Sequence, residues 1–282
     1  MNTSLMAAGL ALTAAACWGA GDFSGGLASR KSSPFRSVLL IYSVGLVALG
    51  IVAVARREAL PPASDLIWGA VAGLFGMVGI MFLFQGFAAG RMGIVAPVSG
   101  VLATGLPVVF NAFTVGLPDA LKLAGFAVAL VSIWLLSRPE RLGGRPEGLG
   151  LAVVAGVCFG SFFITLDQVS KASMFWPLIA GRAASITVML LFVLVTRRAM
   201  PLHSLPWGLF LVAGVLDVMG NVFFLLAIQN GRLDVASVLA SLYPAITALL
   251  ARITIKESIT RLQVAGVTAA MLAIVLITLP GG

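Results

Sequence analysis

Ionisable and amide side chains set inside long apolar runs are the positions where this chain could do chemistry. Asp217 lies about 15 Å into one such run at the helical rise per residue, and Asn221 follows one turn later on the same face. By the same rise, Asp22 sits about 8 Å from the end of the first run and Arg182 about 10 Å into the seventh. Charges at membrane depth are costly, so each invites a functional reading. A carboxylate there can hold a proton or the ammonium group of a solute.

Asp217 admits two readings: an ion pair with Arg182 across adjacent segments, or a proton or substrate-ammonium site with Asn221 as hydrogen-bonding neighbour. Asp22, in Gly21-Asp22-Phe23-Ser24-Gly25, is either a solvated helix-end carboxylate or a gate and second proton site. Trp18, Tyr42 and Tyr243 can wall a cavity and stack on a substrate or its cation. Placement in the interfacial aromatic belt is the alternative, and it suits Tyr42 best. Gln85 and Asn111 read as helix–helix hydrogen bonds.

Other chemistries lack their residues. There is no phosphate-binding glycine loop, so no ATP-driven chemistry is expected. The single histidine, His203, stands near Pro201 and Pro206 with no Cys or carboxylate cluster around it, so no metal site and no cofactor are expected. The tenth apolar segment carries no lysine on which a retinal could be held. Cys17 and Cys158 read as small packing residues.

The elements that must position these groups follow from composition. Apolar residues make up 60% of the chain and charged residues 10%, with a mean hydropathy of +1.09, which excludes an ordinary soluble domain. Crossing the hydrocarbon takes roughly 20 apolar residues in a helix. Ten such segments lie near 5–27, 35–55, 66–88, 93–115, 120–137, 149–169, 175–195, 207–229, 235–254 and 260–279. The expected fold is an all-α membrane protein of ten transmembrane helices. The net charge of +8 falls mostly in the connections, without aromatic interleaving, so the expected partners are a lipid bilayer and a small molecule rather than nucleic acid. Met1-Asn2-Thr3-Ser4 carries no basic residue and the first segment runs apolar past Cys17, so that segment reads as a retained helix rather than a cleaved signal.

The chain also matches itself at an offset of 141 residues. Gly9-Leu10 falls on Gly150-Leu151, Cys17 and Gly19 on Cys158 and Gly160, and Arg56-Arg57 on Arg197-Arg198. Gly73, Gly79 and Phe82 fall on Gly214, Gly220 and Phe223, and Gly90-Arg91 on Gly231-Arg232. Residues 1–137 and 149–282 are therefore expected as two five-helix repeats joined by a polar linker at 138–148. Five is odd, so the second repeat enters the membrane inverted, an architecture that places a site between the halves.

Gly21/Gly25, Gly69/Gly73, Gly86/Gly90 and Gly156/Gly160 are spaced for close helix packing. Pro97, Pro107 and Pro244 lie inside segments and allow bends that could serve gating. On the face holding the N-terminus the connections carry Arg56, Arg57, Lys122, Lys171 and Arg232, five of the 18 basic residues. Twelve fall on the opposite face, which the charge rule makes cytoplasmic, with both termini outside.

Ala227-Ile228-Gln229-Asn230-Gly231-Arg232, Ala236-Ser237, Tyr243-Pro244 and the run Lys256-Glu257-Ser258-Ile259-Thr260-Arg261-Leu262-Gln263-Val264-Ala265-Gly266 resemble the EamA family of the drug/metabolite transporter superfamily. Cys17-Trp18-Gly19 resembles that family's Trp-Gly pair. Gly116 departs from the pattern, standing where the repeat would put the counterpart of Glu257. The resemblance implies cytoplasmic termini, against the charge count. It implies a cavity lined by helices one, three, four, six, eight and nine, with Glu257 fixing the connection between the last two helices. It also implies a secondary transporter, not an enzyme, in the cytoplasmic (inner) membrane. Such a carrier moves a small metabolite, an amino acid or related compound, by alternating access. Efflux in exchange for protons and facilitated diffusion both remain open, and a monomer would suffice. The competing class is a non-transporting membrane protein, such as a lipid-handling scaffold or an intramembrane enzyme.

Overall fold

The computed structural model describes residues 3–88, 92–136, 148–170, 173–197, 205–255 and 261–278. Their regular structure is entirely helical: α1 (Thr3–Lys31), α2 (Pro34–Ala55), α3 (Ala63–Ala88), α4 (Met92–Thr114), α5 (Ala120–Leu136), α6 (Leu149–Asp167), α7 (Phe175–Thr196), α8 (Trp207–Asn230), α9 (Leu233–Ala240), α10 (Tyr243–Ile255) and α11 (Arg261–Thr278). Among the described residues α1, α2, α3, α6, α7 and α8 are long and apolar enough to cross a bilayer. Arg91, residues 138–147, Lys171, Arg198, His203 and the Lys256–Thr260 part of the resemblance motif, Glu257 included, lie outside the described residues.

One expected helix is two. The segment at 235–254 breaks at Ser241-Leu242 into α9 and α10. Pro244 is the cause: it has no N–H to give and its ring clashes with the carbonyl one turn back. The chain turns instead, with Leu242 N donating to Leu239 O at 3.2 Å and Ala245 N to Leu242 O at 3.0 Å. Pro107, by contrast, sits within an unbroken α4.

The packing repeats under the 141-residue shift. That shift carries α1 to α6, α2 to α7, α3 to α8, α4 to α9–α10 and α5 to α11. In the structure α1 packs on α8 and α6 on α3; α2 packs on α8 and α7 on α3; α4 packs on α6 and α9–α10 on α1; α5 and α11 pack on each other. Each of these contacts has its counterpart with the halves exchanged. Individual residues follow the same rule. A Cβ on Gly160 would lie 3.3 Å from the carbonyl of Leu102, and one on Gly19 2.6 Å from that of the equivalent Tyr243.

Lipid tails are as apolar as these side chains, so helices here associate through close packing and hydrogen bonds. The α3–α7 crossing shows both. Gly69 and Gly73 meet the backbone of Pro177 and Gly181, where any Cβ would collide. Ser185 Oγ, at the same crossing, reaches the carbonyls of Gly181 at 2.8 Å and Gly73 at 2.9 Å. The outer surface carries large apolar side chains such as Val54, Phe113, Leu194 and Val195, as a lipid-facing surface requires.

Candidate functional site

Between the halves lies a cavity lined by Trp18 and Asp22 of α1, Tyr42 of α2, Gly69 to Ile80 of α3 and Phe159 to Leu166 of α6. Leu178, Gly181 and Arg182 of α7, Asp217 and Asn221 of α8, and Tyr243 of α10 complete it. A smaller cavity shares Trp18, Asp22, Ile80 and Asp217 with it and ends on Ile41, Phe84 and Ala213. The structure thus gathers all six site residues expected from sequence: Trp18, Asp22, Arg182, Asp217, Asn221 and Tyr243.

Arg182 Nη2 forms an ion pair with Asp217 Oδ2. Asn221 Nδ2 donates to the Asp217 backbone carbonyl at 2.8 Å and lies 3.4 Å from Asp217 Oδ2, so the amide backs the same carboxylate. The guanidinium stacks on Tyr42, its Cζ 3.9 Å from the ring centroid. Arg182 is therefore held on one side by charge and on the other by a ring face. The Tyr243 hydroxyl is 3.4 Å from Ser99 Oγ. Trp18 belongs to a cluster with Phe162, Phe163 and Phe224, at centroid distances of 6.3, 5.7 and 5.4 Å.

Three readings change. Tyr42 is not in an interfacial belt; it is buried, 3% exposed, beneath Arg182. Asp22 is not a solvated helix-end carboxylate, because α1 continues to Lys31 and buries it to 9% exposure. The cavity wall includes α2 and α7 through Tyr42 and Arg182, and no described residue of α4 lines it. Gln85 is exposed beside Phe35 and Met81, away from the cavity, whereas Asn111 is buried.

Four pairs of lining residues are equivalent under the 141-residue shift: Trp18 and Phe159, Asp22 and Phe163, Gly76 and Asp217, Ile80 and Asn221. The pseudo-symmetry relating the halves therefore runs through the cavity. Its members divide sharply. The wall from α1 and α8 carries Trp18, Asp22, Asp217 and Asn221, and the wall from α3 and α6 carries Gly76, Ile80, Phe159 and Phe163.

A set of polar contacts absent from the sequence reading ties the connections together at one end. Glu58, in the α2–α3 connection, accepts from the backbone N–H groups of Met174 at 2.7 Å, Phe175 at 3.0 Å and Trp176 at 3.2 Å. Its own carbonyl accepts from Trp176 Nε1 at 3.0 Å. Asp65 accepts from Ser170 N at 3.2 Å and Ser170 Oγ at 2.5 Å. Farther round the same end, Arg232 donates to Gly116 O at 3.2 Å and pairs with Asp234 at 2.9 Å. The connections assigned to one face by counting crossings thus bind one another. Gly69 follows Asp65 by one turn, and Leu178 lies in the first turn of the helix that Glu58 caps, so this latch sits just beyond the cavity.

An ion pair and a further carboxylate thus lie between the two halves of a helical protein with an apolar outer surface, the layout of a multi-pass membrane protein. The chain belongs to the EamA-like transporter family, whose model matches it twice, over residues 5–138 and 146–279. A solved structure, "Crystal structure of protein", is similar with a TM-score of 0.76 and 18% identity, covering 96% of this chain and 95% of that one; the likeness is one of fold. No curated protein matches the chain in sequence.

Proposed function

We propose that the chain is a secondary transporter that moves a small metabolite by alternating access. Residues 1–137 and 149–282 form two inverted repeats, with α9 and α10 together making the ninth of ten crossings. The observation that carries this reading is the cavity between the two halves, with Arg182 and Asp22 buried and Asp217 half-buried along it. The latch through Glu58 and Asp65 is the closed gate at one end, and it must open for the cavity to change sides. Trp18, Asn221 and Tyr243 contact the solute. Asp217 and Asp22 are the groups able to carry a proton during export across the cytoplasmic membrane.

Reconstituted wild type and Asp217→Asn, assayed for counterflow of small metabolites with and without an imposed pH gradient, test this. Flux that follows the gradient and uncouples in Asp217→Asn establishes proton exchange through that carboxylate. Flux that ignores the gradient in both proteins establishes a facilitator in which Asp217 only anchors Arg182. No protein-dependent flux of any solute rejects transport.

A further inference from the structure

Asp22 is buried and lines both cavities, yet no hydrogen bond or ion pair joins it to any described residue. The neighbouring charges are already matched. Arg182 is engaged by Asp217 and by the ring of Tyr42, and Asn221 supports the same carboxylate. The cavity therefore holds one carboxyl group more than its cations pair with, and a carboxyl without a partner at that depth calls for one.

We propose, resting on the transport reading, that the solute is a small organic monocation with an apolar or aromatic body, and that Asp22 is its counter-charge. The two-faced lining fits such a molecule. Trp18 and Asp22 are one turn apart on α1 and both line the cavity, so an aromatic side chain and a carboxylate lie on the same side of one helix. A cationic nitrogen placed there meets the carboxylate at the margin of the aromatic cluster that Trp18 forms with Phe162, Phe163 and Phe224. Elsewhere on the lining Ile80, Phe159, Phe162 and Phe163, the last two in ring contact with Trp18, offer no hydrogen-bonding side-chain group to compete for it, and they match an apolar body.

The same lining discriminates against two other classes. An anion would face an excess carboxylate, and its one cationic anchor, Arg182, is bound to Asp217. A zwitterionic amino acid could place its ammonium on Asp22, but its carboxylate would have to draw Arg182 away from Asp217 or stay unpaired in the apolar half. Either course leaves a buried charge without its partner. The expected preference is thus for an amine lacking the carboxylate of the corresponding amino acid.

The test uses purified full-length protein and three probes of one skeleton: trimethyl(phenethyl)ammonium, phenylalanine and phenylpropionate. The quaternary probe is permanently charged, so it neither leaks across the bilayer as a free base nor delivers a proton. Equilibrium binding to wild type, Asp22→Asn and Asp22→Glu is measured alongside the melting temperature of each. The expected result is that the cation binds roughly tenfold or more tighter than phenylalanine. Asp22→Asn should abolish that preference without lowering the melting temperature, and Asp22→Glu should keep part of it. Equal or tighter binding of phenylalanine or phenylpropionate overturns the proposal, as does a cation affinity unchanged in Asp22→Asn. Should Asp22→Asn fail to fold, the wild-type order of the three probes and the partial retention in Asp22→Glu decide. Protein-dependent counterflow of a zwitterion or anion, with no cation binding, rejects the monocation while leaving transport standing.

Discussion

The indole of Trp18 occupies the space that a Cβ on Gly220 would need, and Phe159 does the same over Gly79 in the other half. The two rings are equivalent under the repeat, and so are the two glycines. A residue of the cavity wall is thereby seated by a small residue on the neighbouring helix. Gly220→Leu should drive Trp18 out and lower stability by about 1–3 kcal/mol, the scale of overpacking. Gly50→Leu is the matched control, because nothing lies within 4 Å of a Cβ there. Thermal unfolding in detergent should show a clear loss for the first variant and little change for the second.

Breaking the buried pair between Arg182 and Asp217 from one side leaves the other charge uncompensated, at a cost of about 3–5 kcal/mol. Arg182→Leu and Asp217→Leu should each lower the melting temperature strongly. The double variant should regain most of that loss, since two apolar side chains of similar size leave no orphan charge. It should remain inactive in counterflow. A double variant as unstable as the singles would mean that the pair is not where the stability resides.

Glu58 gathers the first free N–H groups of α7 onto one carboxylate. Removing a helix cap costs about 0.5–2 kcal/mol. Glu58→Ala should therefore open the latch more often, and a cysteine introduced at Leu178 should react severalfold faster with a membrane-impermeant thiol reagent. An unchanged rate would show that the latch does not guard the cavity.

Asp119 precedes α5 and accepts from Lys122 N at 2.9 Å, with Lys122 Nζ on its other oxygen. These hydrogen bonds hold its carboxyl below the ordinary range. A carboxyl depressed in the folded state contributes stability above its unfolded pKa of about 3.9 and loses it as pH falls through the lowered value. Hydrogen exchange in the first turn of α5 should be insensitive to pH between neutrality and the mildly acidic range, beyond the intrinsic pH dependence of the chemistry. Protection should drop at stronger acidity, and Asp119→Ala should show the unprotected rate throughout.

Much of the frame was legible because glycine spacing and the 141-residue match report directly on helix contacts: Gly73, Gly79, Gly214 and Gly220 all proved to be crossing points. Depth along a helix likewise brought Arg182 and Asp217 within reach of each other. Tyr42 was misplaced because an amphipathic ring suits a membrane interface as well as a buried cation, and nothing local distinguishes the two. The break before Pro244 was hidden because hydropathy runs on through Ser241 and Leu242. Glu58 and Asp65 went unremarked since carboxylates flanking the Pro61-Pro62 turn look like solvated loop charge, and their partners lie more than a hundred residues away.

The four lining pairs also bear on energetics without any ligand. If alternating access exchanges the conformations of the two halves, identical halves would give inward- and outward-facing forms of equal free energy. Asp22, Asp217 and Asn221 face Phe163, Gly76 and Ile80 at the matching positions, so the two forms expose different chemistry to the aqueous side and need not be degenerate. The resting preference of the carrier is then written in a handful of cavity side chains. Substitutions there can shift that preference while the glycine-lined crossings that build the frame stay untouched.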